Sequence, residues 1–359
     1  MRRMLVVSLV ASLALAFVAP ARAAERAVKT MSRNLYLGAD LTPAVTAPTL
    51  PALILAAYGI WQAVQATDFP ARAGELADEI VDKDPHLIGL QEVATWKLGA
   101  FGDPAPASSV VYDFLASLQA ELAARGEPYD LVVIQREAEI EAPASDFATF
   151  FADVRLEMND AILVKHADVA AGEIALGNAQ SANFQNNLTL PTAGGPVTVR
   201  RGWTSVDATV NRRSFRFVNT HLEAFSAGFR ALQALELLAG PLALPPTQSV
   251  VLVGDLNSDP ANGSSSPPDP TPNNLAYNLI VGLGGFADTE WVDPEGPTCC
   301  HADDLLNPIA AFTSRIDHVL HRGGVVTVRK DVFGDDPDET TPSGLWPSDH
   351  GGVIATLQP

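Results

Sequence analysis

Cysteine is nearly absent from this chain: there are two in 359 residues, and they are neighbours, Cys299 and Cys300. A pair so placed cannot staple distant segments, which is how a secreted protein usually spends its cysteines. Neighbouring Cα atoms lie about 3.8 Å apart across a trans peptide, below the roughly 4.4–6.8 Å usual for a disulfide. The alternatives are a strained vicinal bridge and two partly buried thiols. Basic residues are also scarce, 23 Lys and Arg against 42 Asp and Glu. That balance argues against tight non-specific binding of nucleic acid, which depends on cations neutralising phosphates. It leaves room for a nuclease whose divalent metal supplies the local positive charge. After the first two dozen residues no apolar run is long enough to span a membrane.

Those first residues read as a secretory signal peptide over positions 1–23. Arg2-Arg3 is the basic start, Leu5–Val18 the apolar stretch, and Ala21-Arg22-Ala23 the small-x-small cleavage site. Cleavage is expected near Ala23 or Ala24, with a secreted or periplasmic location; the Arg pair does not decide between general and twin-arginine export. Three of the 23 basic residues fall in that segment, so 20 remain against 42 acidic ones, a net charge of −22. Residues 24–359 read as one domain without a short repeat. Asn187 and Asn262 begin Asn-x-Ser/Thr acceptor patterns.

Hydrophobic patterning predicts strands at Val28–Leu37, Leu87–Leu90, Leu131–Ile134, Ala161–Val164, Val250–Val253, Arg315–Leu320, Val325–Lys330 and Gly352–Leu357. Thr204–Val210 and Phe215–Thr220 form a predicted hairpin. Helices are predicted at Phe69–Val81, capped by Asp68, at Val110–Arg125 and at Phe229–Leu238. Strands alternating with helices, with hairpins, suggest sheets covered by helices. Three segments read as insertions: Ala100–Ser109, Ala261–Pro272 and Leu50–Val64. The last is apolar nearly all round if helical. It is either a helix buried against the body or a peripheral membrane contact beside the active site.

Polar residues recur at the ends of these strands. Asn34 ends Ser32-Arg33-Asn34, and Gln91-Glu92 follows Leu87–Leu90. His221 ends Asn219-Thr220-His221, and Gly254-Asp255-Leu256-Asn257 follows Val250–Val253. Asp317 opens Asp317-His318, and Ser348-Asp349-His350 precedes the last strand. Any one of these has an ordinary structural reading as a turn residue or core histidine; their joint occurrence along the chain is what carries meaning. In that order the chain resembles the endonuclease/exonuclease/phosphatase superfamily, over nearly all of residues 24–359. The resemblance implies a deoxyribonuclease I-like α/β fold: a four-layer sandwich of two mixed β-sheets packed face to face, with helices outside.

It also implies hydrolysis of a phosphodiester by activated water, with Mg²⁺ as the expected metal and Mn²⁺ or Ca²⁺ as alternatives. Such hard cations take oxygen ligands. Glu92 would be the principal ligand, with Asn34 and Asp349 close by; the absence of cysteine from the pattern argues against structural zinc. Asp255 would polarise the water and Asn257 orient it or the phosphate. His350 would pair with Asp317, and that pair is the competing candidate for general base. His221 would donate to a phosphate oxygen or protonate the leaving group. Asn159, near Arg155 and Asp160, is the candidate substrate contact. His86, His166, His318 and His321 read as structural, as does His301.

The substrate stays open. A lipid or small-molecule phosphodiester, as for a sphingomyelinase or phospholipase C, suits the acidic charge and the apolar Leu50–Val64. An extracellular deoxyribonuclease-like endonuclease would use the cationic run Arg200, Arg201, Arg212, Arg213 and Arg216. A binding or effector protein without catalysis is disfavoured by the complete residue set. Oligomeric state is not legible.

Overall fold

The computed structural model describes residues 27–210, 212–289, 291–292 and 296–359. The expected signal peptide lies outside the described residues. The first sheet has seven strands: β1 (Val28–Asn34), β2 (Leu87–Ala100), β3 (Ser109–Asp113), β4 (Tyr129–Ser145), β5 (Phe151–Lys165), β13 (Val326–Phe333) and β14 (Gly352–Gln358). Their order is β13-β14-β1-β2-β5-β4, with β3 on the far half of β2. The second sheet is ordered β12-β11-β10-β9-β6. It comprises β6 (Ile174–Asn183), β9 (Gly202–Val210), β10 (Arg213–His221), β11 (Val250–Asp255) and β12 (Asp317–Arg322). A two-stranded hairpin, β7 (Leu188–Thr192) and β8 (Gly195–Val199), stands apart.

Alternation along the strands builds three apolar layers. Val28, Leu87, Ile162, Val206, Phe217, Val251, Val353 and their neighbours pack the two sheets face to face. The other face of the first sheet, with Met31, Ile88 and Leu90, packs on α2 (Leu50–Ala66), α3 (Phe69–Lys83) and α4 (Phe114–Ala124). Val218, Leu252 and Leu320 of the second sheet pack near α6 (Ala227–Ala239) and α7 (Leu275–Gly282). This is the expected four-layer α/β/β/α sandwich. Short helices α1 (Thr42–Val45) and α5 (His166–Ala170) complete the set.

Gly89 faces the inter-sheet layer, where a Cβ would lie 2.4 Å from Val253 Cγ2 and 2.6 Å from Asn219 Oδ1. Two sheets can approach that closely only over hydrogen. Gly89→Ala should therefore cost about 1–3 kcal/mol by overpacking. A urea melt would show this as a lower midpoint at unchanged slope. An unchanged midpoint would mean the sheets part freely at this point.

Several local expectations need correction. Val110–Arg125 is not one helix: Ser109–Asp113 extends and pairs with β2, and Asp113 caps α4 by accepting from the Ala116 N–H. Asp68 does not cap α3 with its side chain; the backbone carbonyl of Asp68 accepts from Ala71 and Arg72 instead. Leu50–Val64 is helical, but one face is buried. Trp61 is only 2 % exposed, packed near Trp96 and Tyr112, while Leu50 and Leu55 on the other face are about half exposed. No single helix among the described residues is long and apolar enough to cross a membrane.

Candidate active site

Chain direction brings the motifs to one rim. β1 and β2 run parallel, as do β10 and β11, so their C-terminal ends lie on the same edge. His221 pairs with Asp255 there, and Asp255 faces Asp317, the first residue of antiparallel β12. Asn34 ends β1 opposite Gln91. Asp349 and His350 lead into β14, which is antiparallel to β1. At the head of the Asp255 motif, Gly254 has φ +146°, and a Cβ there would sit 1.9 Å from the Thr220 carbonyl oxygen. No other residue fits that position.

Glu92 is placed by a bulge. The β2–β5 register shifts between Leu90 and Val93, and Glu92 has φ 54°. Asn219 reaches across from the second sheet and donates to the carbonyls of Leu90 (3.0 Å) and Ala161 (3.2 Å). Its Oδ1 accepts from Gln91 Nε2 at 2.6 Å. The Glu92 carboxylate accepts from the Leu37 N–H at 2.7 Å.

The two sheets are tied together at the rim. His350 Nδ1 and Asp317 Oδ2 are 2.8 Å apart. Asn34 Nδ2 donates to Asp255 Oδ2 at 3.2 Å, and the Asn257 N–H donates to Asp255 Oδ1 at 2.8 Å. Asp255 Oδ2 also faces His221 Nε2 at 3.4 Å and His350 Nε2 at 3.9 Å. Behind them, buried Arg72 donates to the carbonyls of Leu35, Tyr36 and Pro347. Arg33, paired with Glu79, donates to the His350 carbonyl. Cys299 and Cys300 are disulfide-bonded. Their loop braces the same corner: Thr298 Oγ1 accepts from the Asp317 N–H, and the His301 N–H donates to the Asp349 carbonyl.

Burial dominates the electrostatics. Asp255 is raised to about 7 by burial and then by Asp317, with His350 opposing. Asp349 is raised to about 7 by burial and Glu92, against the pull of His350 and Arg72. Burial lowers His350, but Asp317, Asp349 and Asp255 outweigh it and hold the imidazole well above its ordinary value. His221 is pushed well below its ordinary value by burial, Arg201 and His350. The two histidines around this one carboxyl group are thus pushed in opposite directions, His350 toward the charged form and His221 toward the neutral one.

The Glu92, Asn34 and Asp349 corner could hold a divalent cation. All three donors are oxygens, and burial and Glu92 raise the part-buried Asp349 carboxyl to about 7, so a cation there would favour its charged form. Ligand atoms of Asp255, Asp317 and His350 also lie within 4.8 Å of one another, as do those of Cys299, Cys300 and His350. The sulfurs of the latter group are spent on each other.

The sequence model of the Endonuclease/Exonuclease/phosphatase family matches residues 57–350. The chain belongs to this family. Members are hydrolases acting on phosphoester bonds, typically dependent on a divalent metal. A mannosyl-6-phosphatase of Bacteroides thetaiotaomicron superposes with a TM-score of 0.54 at 16% identity, covering 92% of this chain and 99% of that one. An endonuclease/exonuclease/phosphatase of Beutenbergia cavernae gives 0.55 at 22%, covering 93% and 72%. A humanised TDP2 of D. rerio gives 0.51 at 13%, covering 93% and 100%. At these identities the likeness is one of fold. No curated protein sequence matches the chain.

Within this family member, Asn34, Glu92, His221, Asp255, Asn257, Asp317, Asp349 and His350 converge as the sequence suggested. Asn159 does not join them: its amide donates to the Val93 carbonyl at 2.9 Å and braces the Glu92 bulge. Its neighbour Asp160 faces the cluster instead, fully buried. Of the cationic run, only Arg200 and Arg201 reach the site. Arg213 pairs with Val210 at the opposite end of the hairpin whose near end pairs His221 with Gly202. At about 3.3 Å per residue that tip is some 26 Å away. Arg216 is paired with Asp207. Arg201 was visible in the sequence only as one of several arginines; no spacing rule ties it to His221.

A cleft of about 690 Å³ opens from the rim at Glu92, Asp349 and Arg201. It runs between the α1–α2 segment, the face of β4 and β5, and the β7–β8 hairpin. Leu37, Leu53, Ile60, Leu156, Met158 and Val197 make its lining largely apolar, and half-exposed Phe225 stands at its edge.

Proposed function

We propose that this protein is an exported, Mg²⁺-dependent phosphodiesterase whose substrate carries an apolar group, of the kind found in a phospholipid or another lipid-like phosphodiester. The observation that carries this reading is the apolar cleft ending at the acidic rim. A phosphate at the rim would place one ester substituent in the cleft, where apolar surface gains by leaving water. A sugar phosphate, as named for the Bacteroides neighbour, would bury hydroxyls against that lining with few partners. The remoteness of Arg212 and Arg213 weakens the nuclease alternative. Exposed Leu50 and Leu55 on α2 are the residues offered for peripheral membrane contact; Trp61 of the same helix is buried.

In this reading Glu92, Asn34 and Asp349 would hold the metal, which when bound would neutralise charge on the phosphate and leaving group. Asp255, held by Asn34 and the Asn257 N–H, accepts the proton of the attacking water. Asn257 orients that water. His350, kept cationic by Asp317, binds the anionic phosphate, and its charge favours Asp255 over the His350–Asp317 pair as base. His221 donates to a phosphate oxygen from Nε2.

The test compares phosphatidylcholine or sphingomyelin in mixed micelles with bis(p-nitrophenyl) phosphate and with plasmid DNA, each with Mg²⁺ and with EDTA. Gly194 is exposed on the β7–β8 turn, and a side chain there would lean on Leu53 at ordinary contact distance. Gly194→Phe should cut lipid turnover about tenfold or more, a loss of roughly 1.4 kcal/mol, and spare the small ester. Equal effects on both esters, or plasmid nicking that exceeds lipid hydrolysis, would defeat the lipid reading. Turnover insensitive to EDTA would defeat the metal.

A further inference from the structure

Arg201 Nη1 lies 2.9 Å from His221 Nδ1, and both residues are buried. A guanidinium has only donors, so the imidazole nitrogen facing it must be the acceptor. The His221 ring proton is then on Nε2, the nitrogen 3.4 Å from Asp255 Oδ2. We propose that Arg201 is a positioning residue for the reaction: it locks His221 in the neutral Nε2–H tautomer, aimed at Asp255 and the reacting phosphate. This inference rests on the phosphodiesterase reading above and assigns His221 one of its two suggested roles, hydrogen-bond donor rather than acid.

Arg201 is built into its place. Its N–H donates to Asn187 Oδ1 at 3.0 Å, and its carbonyl accepts from the Phe184 N–H at 2.8 Å, so the 184–187 turn grips the backbone from both sides. Its charge is felt by two buried carboxyl groups. Glu137 and Asp160 are fully buried, and no well-formed hydrogen bond reaches either carboxyl group. Burial raises both well above the ordinary carboxyl range, and Arg201 opposes that rise only in part. The same charge opposes protonation of His221. Tautomer and neutrality thus have one source.

The alternative is that Arg201 touches the phosphate itself, since it also lines the cleft. Two measurements separate these. In ¹⁵N-histidine spectra, with the His221 signals assigned through His221→Asn, the wild-type protein should show an unprotonated Nδ1 and a protonated Nε2. Arg201→Met should give a mixture of tautomers or the imidazolium. A wild-type ring protonated at Nδ1 overturns the proposal, whatever the substrate proves to be.

The second measurement is a double-mutant cycle on bis(p-nitrophenyl) phosphate with Mg²⁺. Arg201→Met should lower kcat about 10–100-fold with KM little changed, and Arg201→Lys should recover much of it. In a His221→Ala background the same change should cost less than about twofold, because residues acting as a unit are not additive. A full loss in that background, or a loss confined to KM, would make Arg201 a phosphate ligand and overturn the proposal. If Arg201→Met does not melt cooperatively, Arg201→Gln takes its place in the cycle.

Discussion

Asp255→Asn will lower kcat toward a phosphodiester by about 10²–10⁴-fold, the usual contribution of a positioned general base. The fold should survive, because the substitution keeps the oxygen that accepts from the Asn257 N–H. Asp255 is also the group whose pKa, raised to about 7, should set the acid limb of the rate profile. A base must be deprotonated to act, so the wild-type rate should rise with pH up to about 7 and then hold until His350 loses its charge at higher pH. In Asp255→Asn that limb should vanish with the activity. Stopped assays from pH 5 to 9 would test it; a variant with near wild-type turnover and an intact acid limb would move the base elsewhere.

Asp317→Asn should lower kcat by roughly 10²–10³, as loss of a preorganised charge-stabilising group does. Its signature is in the pH profile. Asp317 raises both neighbours: His350, against the lowering effect of burial, and Asp255, in addition to burial. Removing that negative charge lowers both pKa values. The acid limb, where Asp255 loses its proton, moves to lower pH. The alkaline limb, where His350 loses its charge, also moves to lower pH. The whole bell therefore slides in one direction. If His350 were the base, activity would need it neutral, and its fall in pKa would extend activity on the acid side without an alkaline loss. The two outcomes are distinguishable on one plot.

The rim was legible because strand-end polar residues recur in fixed order, and parallel strands must place their ends together. The Glu92 bulge was not, since a β2 that outruns β1 and continues with β3 is a matter of pairing, with no mark in Leu87–Leu90 itself. Val110 to Tyr112 were absorbed into the following helix because their apolar run passes without a break into α4. The strands β6, β7 and β8 were missed for a different reason: their residues are small, polar or largely exposed, and alternation has little contrast there. Asn159 and Asp160 show the cost of a one-residue ambiguity beside a bulge, where neighbours exchange faces. Leu50–Val64 reads as apolar nearly all round only until its helix is seen to turn Leu53, Trp61 and Val64 inward.

The pairing of Asn34 with Asp255, of His350 with Asp317 and of Gln91 with Asn219 has a further consequence. Each pair takes one partner from each sheet. Neither half of the sandwich owns a working site, and neither can be redesigned as if it did. The apolar layer between the sheets is the calibration of the chemistry: a repacking there that slid one sheet by a fraction of an ångström would detune three contacts together. Variation in this protein should accordingly be free on the exposed faces of its outer helices and constrained along the seam, including at positions such as Gly89 that touch no substrate.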